Sequence, residues 1–275
     1  MSGRTDGQLP ESLARPLGGS TYELTGMARG PWQPDAAHGG APAALMVRAA
    51  EEHSDEGAMR LLSLSTTFYG PVMLGEIEIE SEVLKPGGRQ KVVSVKLRSG
   101  GRTAIEGRAI LVRRGEVALP ASVEEIETTL LSVDEAQPVD RGLWFPGDEV
   151  AFHRNAVTVR VLKGGPETVN HEGAAWFHLD CRVVPGEEIT PAQRAASVAD
   201  FGNGLAHPVP FGEYLFVNCD LNVSIFREPS GEWIGLDSRT DVDRNGSGLT
   251  VTGLHDTKGR FGAATQSLYV DRVQG

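Results

Sequence analysis

A helix followed by four strand-like runs occurs twice in this 275-residue chain, and self-similarity at so long a period points to two copies of one unit. In the first copy, HGGAPAALMVRAAEEH (His38 to His53) sets Ala41, Ala44, Leu45, Met46, Val47 and Ala49 close to a 3.6-residue period, with Glu51 and Glu52 outward. Its small residues suit a closely packed helix. RLLSLSTTFYG, EIEIESEVLK, KVVSVKLRS and TAIEGRAILVRR follow, divided by glycine-rich turns such as KPGGR and RSGGR. The alternation in EIEIESEV predicts a strand with Ile77, Ile79 and Val83 inward.

In the second copy, AVTVRVLKG and GAAWFHLDCRVV lead to a helix over TPAQRAASVADFGNGL, with Thr190 as N-cap and Pro191 at its first position. Aligned by eye, GEIEIESEVL falls against GEWIGLDSRT and SGGRTAIEGRAILV against TKGRFGAATQSLYV. This sets Gly101-Arg102 on Gly259-Arg260, Gln266 against Arg108 and Thr240 against Leu84. The expected class is α+β, two tandem helix-on-antiparallel-sheet units forming one continuous sheet. The expected division is a flexible lead-in over 1–20, a first unit over 21–114, a linker rich in Glu, Asp and Pro over 115–149, and a second unit over 150–275.

Several function classes are disfavoured. A net charge of -11 and a pI near 5.1 are a poor match to a nucleic-acid backbone. No stretch approaches the roughly 20 apolar residues of a membrane span, and the first residues hold no apolar core of a secretory signal. Cys181 and Cys219 are too few for a disulfide framework or a zinc site, so a cytoplasmic location is expected. None of the seven histidines has metal-ligand spacing, and no P-loop or dinucleotide motif occurs, so neither metal nor cofactor is expected.

NCDLNVSIFREPSGEWIGLDSRT, followed by GSGLTVTGLHDTKGRFGAATQSLYV, resembles the C-terminal half of the thioesterase II family of double-hotdog acyl-CoA thioesterases. GPWQPDAAHGGAPAALMVRAAEE resembles the start of the N-terminal half, and AQRAASVADFGNGLAHPVP is similar to a group of actinobacterial thioesterase-like proteins. In that family a carboxylate, a hydroxyl and a carboxamide act on one water. The resemblance assigns these roles to Asp220, Thr240 and Gln266, with Ser238 as the alternative hydroxyl because the spacing after Trp233 differs by one residue. It also implies a site between the two halves, an acyl-CoA or acyl-carrier-bound thioester as substrate, and a helix N-terminus that receives the carbonyl. A homo-oligomer, a dimer of double hotdogs, is expected as the assembly.

The chemistry suits those residue types. Thioester hydrolysis needs a water made more nucleophilic and a donor for the developing oxyanion. A carboxylate takes the water's proton, while neutral groups orient it. Gly39 and Gly40 open the first helix, where main-chain N–H groups lack partners and a carbonyl can approach closely. His38 before them either caps the helix or meets the substrate. Trp32, Phe68, Trp176, Phe177, Phe226 and Trp233 are candidates for an acyl tunnel, with ordinary core as the plainer reading. Asp200 and Asn203 in ADFGNGL read most simply as a helix terminus, with a pocket contact as the alternative. Two other functions fit the same fold: a hydratase using Asp35 and His38, and a non-catalytic acyl-CoA or acyl-carrier binding protein. Because Arg108 and Leu84 face Gln266 and Thr240, one competent site per chain is expected.

Overall fold

The computed structural model describes residues 9–123, 130, 132–139, 149–165 and 168–273. In the first half, β1 (Ala14–Gly18) and β2 (Thr21–Leu24) precede helix α1 (Gly40–Glu51). Strands β3 (Met59–Phe68), β4 (Gly75–Lys85), β5 (Gln90–Ser99) and β6 (Arg102–Arg113) follow. A short β7 (Gln137–Pro138) leads to β8 (Val157–Lys163) and β9 (Glu172–Leu179), and then to helices α2 (Pro191–Ala199) and α3 (Gly202–Leu205). Strands β10 (Tyr214–Asn218), β11 (Asp220–Ile225), β12 (Trp233–Asp243), β13 (Ser247–Asp256) and β14 (Gly259–Arg272) complete the chain.

All these strands pair antiparallel in one sheet, in the order β1-β2-β4-β5-β6-β3-β11-β14-β13-β12-β9-β8-β7, with β10 also on β14. The order β2-β4-β5-β6-β3 is mirrored as β11-β14-β13-β12-β9. The two halves meet where β3 pairs with β11, from Asp220 opposite Thr67 to Ser224 opposite Ser63. Helix α1 lies on β3 to β6, α2 lies on β9 and β11 to β13, and the helices pack on each other.

The pattern of side chains explains the layering. Ile77 and Ile79 are buried and Val83 packs partly buried against the core, as the alternation in β4 predicts. Thr190 caps α2 by accepting from the Gln193 N–H at 3.1 Å, with Pro191 at the first turn. Ten of the 12 residues of α1 are buried, among them five alanines. The close packing is most demanding at Gly40, where a Cβ would lie 1.9 Å from the Ser197 carbonyl oxygen of α2. Only glycine lets the helices cross there. Among the described residues no helix is long and apolar enough to cross a membrane.

Two expectations need correction. Residues 9–20, assigned to a flexible lead-in, are ordered instead: Leu13 and Ala14 are buried, their N–H groups bond Arg182 and Val183 carbonyls, and β1 pairs with β2. Residues 1–8 lie outside the described residues, as do 124–129, 131 and 140–148 of the expected linker. The register of the repeat also differs by one residue. The hairpins β5–β6 and β13–β14 carry a bulge at the same place, Leu97/Arg98 in one and Leu254/His255 in the other. Counting along the ladders from these bulges puts Gln266 in the place of Ala109, not Arg108, and Thr240 in the place of Val83, not Leu84. A slip of one residue exchanges the two faces of a strand, which is why the alignment by eye paired an inward glutamine with an outward arginine.

If the helix crossing holds the halves together, Gly40→Ala should lower the unfolding free energy by at least about 2 kcal/mol, because a main-chain oxygen cannot move aside as a flexible side chain does. Gly88→Ala, at a position with open space around it, should stay within about 0.5 kcal/mol. Urea denaturation of both variants checks the difference, and equal midpoints would refute it.

Candidate active site between the two helices

Asp200 follows the last residue of α2, and its carboxylate lies at the N-terminus of α1. The two ends meet because of the glycine crossing: a Cβ on Gly39 would lie 2.8 Å from Asp200 Oδ2. The side chain is 6% exposed, and burial pushes its pKa up to about 6. Hydrogen bonds from Asn218 and from the Gly40 and Gly39 N–H groups oppose that rise by stabilising the charged form. The positive end of the α1 dipole acts in the same sense.

Both carboxamides of the site point at this group. Asn218, the last residue of β10, donates from Nδ2 to Asp200 Oδ1 at 2.5 Å. Gln266 of β14, wholly buried, donates from Nε2 to the Asp200 carbonyl at 3.2 Å and to Oδ1 at 3.5 Å. His38 brings Nδ1 to 3.0 Å from Oδ2. Its ring stacks on Phe152 at 4.8 Å and lies 4.4 Å from Phe201, and burial lowers its pKa to about 3, so the imidazole is neutral. The Gly40 N–H lies within reach of both His38 Nδ1, at 3.1 Å, and the carboxylate.

The site opens on a cavity of about 540 Å³ bordered by His38, Gly39, Asp200, Asn203 and Asn218. Of the chain's four Trp, four Tyr and nine Phe, Trp32, Phe68, Tyr69, Phe201, Phe211, Phe216 and Tyr269 border this one space. Trp32, from the first half, meets Phe216 edge-on at 5.0 Å and Phe211 at 5.7 Å, both from the second half. The cavity is therefore built by both halves, mostly from apolar surface with polar groups at one end.

The structure brings together only part of the set expected from sequence. His38, Gly39, Gly40 and Gln266 converge on one point, although Gln266 stands behind Asp200 and does not border the cavity. Asp220 does not join them. It accepts from the Ser267 N–H at 2.6 Å and from Ser267 Oγ at 3.0 Å, and Ser267 points to the face of β14 opposite Gln266. Asp220 thus borders a separate, polar hollow of about 680 Å³ on the outer face of the sheet. Thr240 is buried and bonds Thr250 Oγ1 at 2.7 Å, two strands away from Gln266, and Ser238 bonds Thr252 Oγ1 at 2.9 Å. Neither reaches Asp200 by a hydrogen bond.

Asp35 is largely exposed beside Arg29, at 3.8 Å, and does not pair with His38 as a hydratase would require. Of the six aromatic tunnel candidates, Trp32 and Phe68 border the cavity, Trp176 and Phe177 are buried in the core, and Phe226 is half exposed. Trp233 packs beside His178 and Arg160. Asp200, Asn203 and Asn218 were missed as site residues. The available signal was an acid closing a helix of small residues, RAASVAD, where its own helix dipole disfavours it. Among the described residues no group of three or more His, Cys, Asp or Glu is placed to hold a metal ion.

Comparison with known proteins agrees with this architecture. The sequence profile of the acyl-CoA thioesterase N-terminal domain matches residues 28–112, and that of the C-terminal domain matches residues 131–270. Among solved structures, a provisional thioesterase II of Thermobifida fusca YX superposes with a TM-score of 0.72 at 20% identity, covering 95% of this chain and 96% of that one. A protein of unknown function with a hotdog fold from Alicyclobacillus acidocaldarius gives 0.72 at 16% identity, covering 96% and 98%. An acyl-CoA thioesterase II of Mycobacterium marinum gives 0.62 at 13%, covering 95% and 96%. These likenesses establish the hotdog fold. No curated protein matches the chain. Since the profiles of both domains match in order across the two halves, the chain belongs to the acyl-CoA thioesterase family.

Proposed function

We propose that the protein hydrolyses acyl thioesters, with Asp200 as the base that activates water. The observation that carries this reading is a buried carboxylate, its pKa raised to about 6, held by two carboxamides at a helix N-terminus and facing an apolar cavity. A base whose pKa lies just below neutrality is charged at working pH and still accepts a proton readily. Asp200 Oδ2 takes the proton of a water in the cavity, the water's oxygen attacks the thioester carbonyl, and the thiol leaves with a proton returned from Asp200. Asn218 takes the place that the resemblance gives to a hydroxyl.

Gly39 borders the cavity, and its N–H, which also bonds Asp200, is the donor for the oxyanion. The acyl group occupies the aromatic cavity, and the substrate is an acyl-CoA or a carrier-bound thioester. Two hotdog halves make one such site. The position related to Asp200 by the internal symmetry is Glu51, at the end of α1, which accepts from Thr190 Oγ1 and Gln193 Nε2 at 2.9 Å each. There Leu61 stands in the ladder as Asn218 does, and Ala109 stands as Gln266 does.

Replacing the base while keeping its shape tests the proposal. Asp200→Asn should lower kcat for thiol release by about 10²- to 10⁴-fold with the fold retained, measured over a panel of acyl-CoA chain lengths. Unchanged hydrolysis removes Asp200 from the mechanism, and silence of the unaltered protein across the panel favours a binding role.

The pH dependence has a definite sign. The charged carboxylate is the active form, so kcat/KM should rise through about pH 6. Stability moves the other way. The folded pKa lies above the ordinary 3.8, so this group's contribution is fully present below about pH 4 and is lost as pH rises through about 6. Asp200→Asn should remove that component, of the order of 3 kcal/mol, from the pH profile of unfolding. An identical pH profile of stability in both proteins would refute the assignment.

A further inference from the structure

An amide side chain can be turned by 180°, exchanging its donor for its acceptor, so the two carboxamides of this site serve Asp200 only if something fixes their sense. The polarity at Asn218 is dictated from one side by the carboxylate, which accepts: Nδ2 faces Asp200 Oδ1, and Oδ1 of the amide faces away. That oxygen receives Nδ2 of Asn203 at 2.9 Å. The polarity at Gln266 is dictated from the other side. The main-chain N–H of Asn203, which can only donate, binds Gln266 Oε1 at 3.2 Å, so Nε2 turns toward Asp200. Asn203 thus meets both carboxamides at their oxygen ends.

Local structure explains why Asn203 is there. It lies in the short helix α3, directly after Gly202, and is 7% exposed. A Cβ on Gly202 would stand 2.7 Å from Gln266 Oε1 and 2.5 Å from Thr252 Oγ1, so the missing side chain is what admits the glutamine. We propose that Asn203 is a positioning residue that locks the Asn218 and Gln266 carboxamides with their nitrogens toward Asp200, directing their hydrogens to Oδ1 and leaving Oδ2 to take the proton from water. This rests on the reading of Asp200 as the base.

Without the Asn203 side chain, Asn218 Oδ1 loses its donor, and once Asp200 is protonated nothing on that side holds the amide in its present sense. The turned amide sets an oxygen against Asp200 Oδ1, which disfavours the carboxylate and holds its proton to higher pH. The titratable groups near Asp200 include His38, in contact, and Tyr69, Cys219 and Tyr269, which border the same cavity; His153, in the segment Phe152–Ala156, interacts with His38 through space. All of them are present in both the unaltered protein and the variants, so they form a constant background in the comparison.

The experiment follows Asp200 itself, by carbon-13 NMR titration of its carboxyl carbon in the full-length chain, and does not require turnover. Asn203→Ala should raise the midpoint by about one pH unit, which corresponds to a roughly tenfold smaller charged fraction below the midpoint. In an Asn218→Ala background the same change should have no further effect, because the amide through which it acts is gone. In hydrolysis of a short acyl-CoA, kcat should fall about fivefold at pH 6 and recover toward pH 8, with KM within about twofold. Asn203→Ser provides the same reading if the alanine variant does not fold. A midpoint unmoved by either variant, or moved equally when Asn218 is already alanine, overturns the proposal. Normal hydrolysis by Asp200→Asn would instead overturn the assignment of the base and leave the titration result standing.

Discussion

The crossing of α1 and α2 at Gly40 positions everything else in the site. A helix ends with its carbonyls and the negative end of its dipole exposed, so an acid at that end is poorly placed with respect to its own helix. Asp200 sits at the end of α2 and Glu51 at the end of α1. Each is accommodated because the crossing presents the start of the other helix: the Gly39 and Gly40 N–H groups for Asp200, and the Thr190 and Gln193 side chains for Glu51. The exchange works only at contact distance, and contact is possible only because residue 40 carries no Cβ to meet the Ser197 carbonyl. Packing in α1 and electrostatics at Asp200 are one constraint seen from two sides.

From that constraint the character of the carboxylate follows. Removing Asp200 from water raises its pKa, and donors from Asn218, Gly39 and Gly40 return part of the lost solvation. The balance stops near 6. His38 adds a second control: packed against Phe152 and Phe201 it stays neutral, so it sets beside the carboxylate no full positive charge that would pull the pKa down. The aromatic side chains that exclude water from His38 continue through Phe201 into the wall of the cavity, so the group that sets the carboxylate's surroundings also shapes the apolar space beside it.

The repeat, the helix caps and the inward face of β4 could be read from the sequence because each depends on local periodicity or on residues a few positions apart. So could the histidine and glycines at the start of α1. The acid could not. Asp220 lies in a strand and looked like an acid that needs a purpose, but its exposure depends on the parity of β11 against β14, and Ser267 satisfies it on the outer face. Asp200 looked like an ordinary helix terminus, because its purpose lies 160 residues away in sequence order, at a helix start that only the tertiary crossing brings near. Thr240 failed for a related reason. It belongs to the same inward row as Gln266, through Thr250, but strands about 4.8 Å apart put it two places from the carboxylate.

The two halves separate the structural use of such an acid from its chemical use. Both keep a carboxylate across the helix crossing, so that feature belongs to the packing of the pair. The differences lie in the ladder beneath. Val83, Val93 and Ala109 form an apolar row under α1, where Thr240, Thr250 and Gln266 form a polar one in the second half. Leu61 puts an apolar side chain where the second half has the Asn218 carboxamide. A chain with two identical halves would have to place the same residues at both crossings. The fused chain can let the Glu51 crossing pack tightly, and so hold the helices at the distance on which the Asp200 crossing depends.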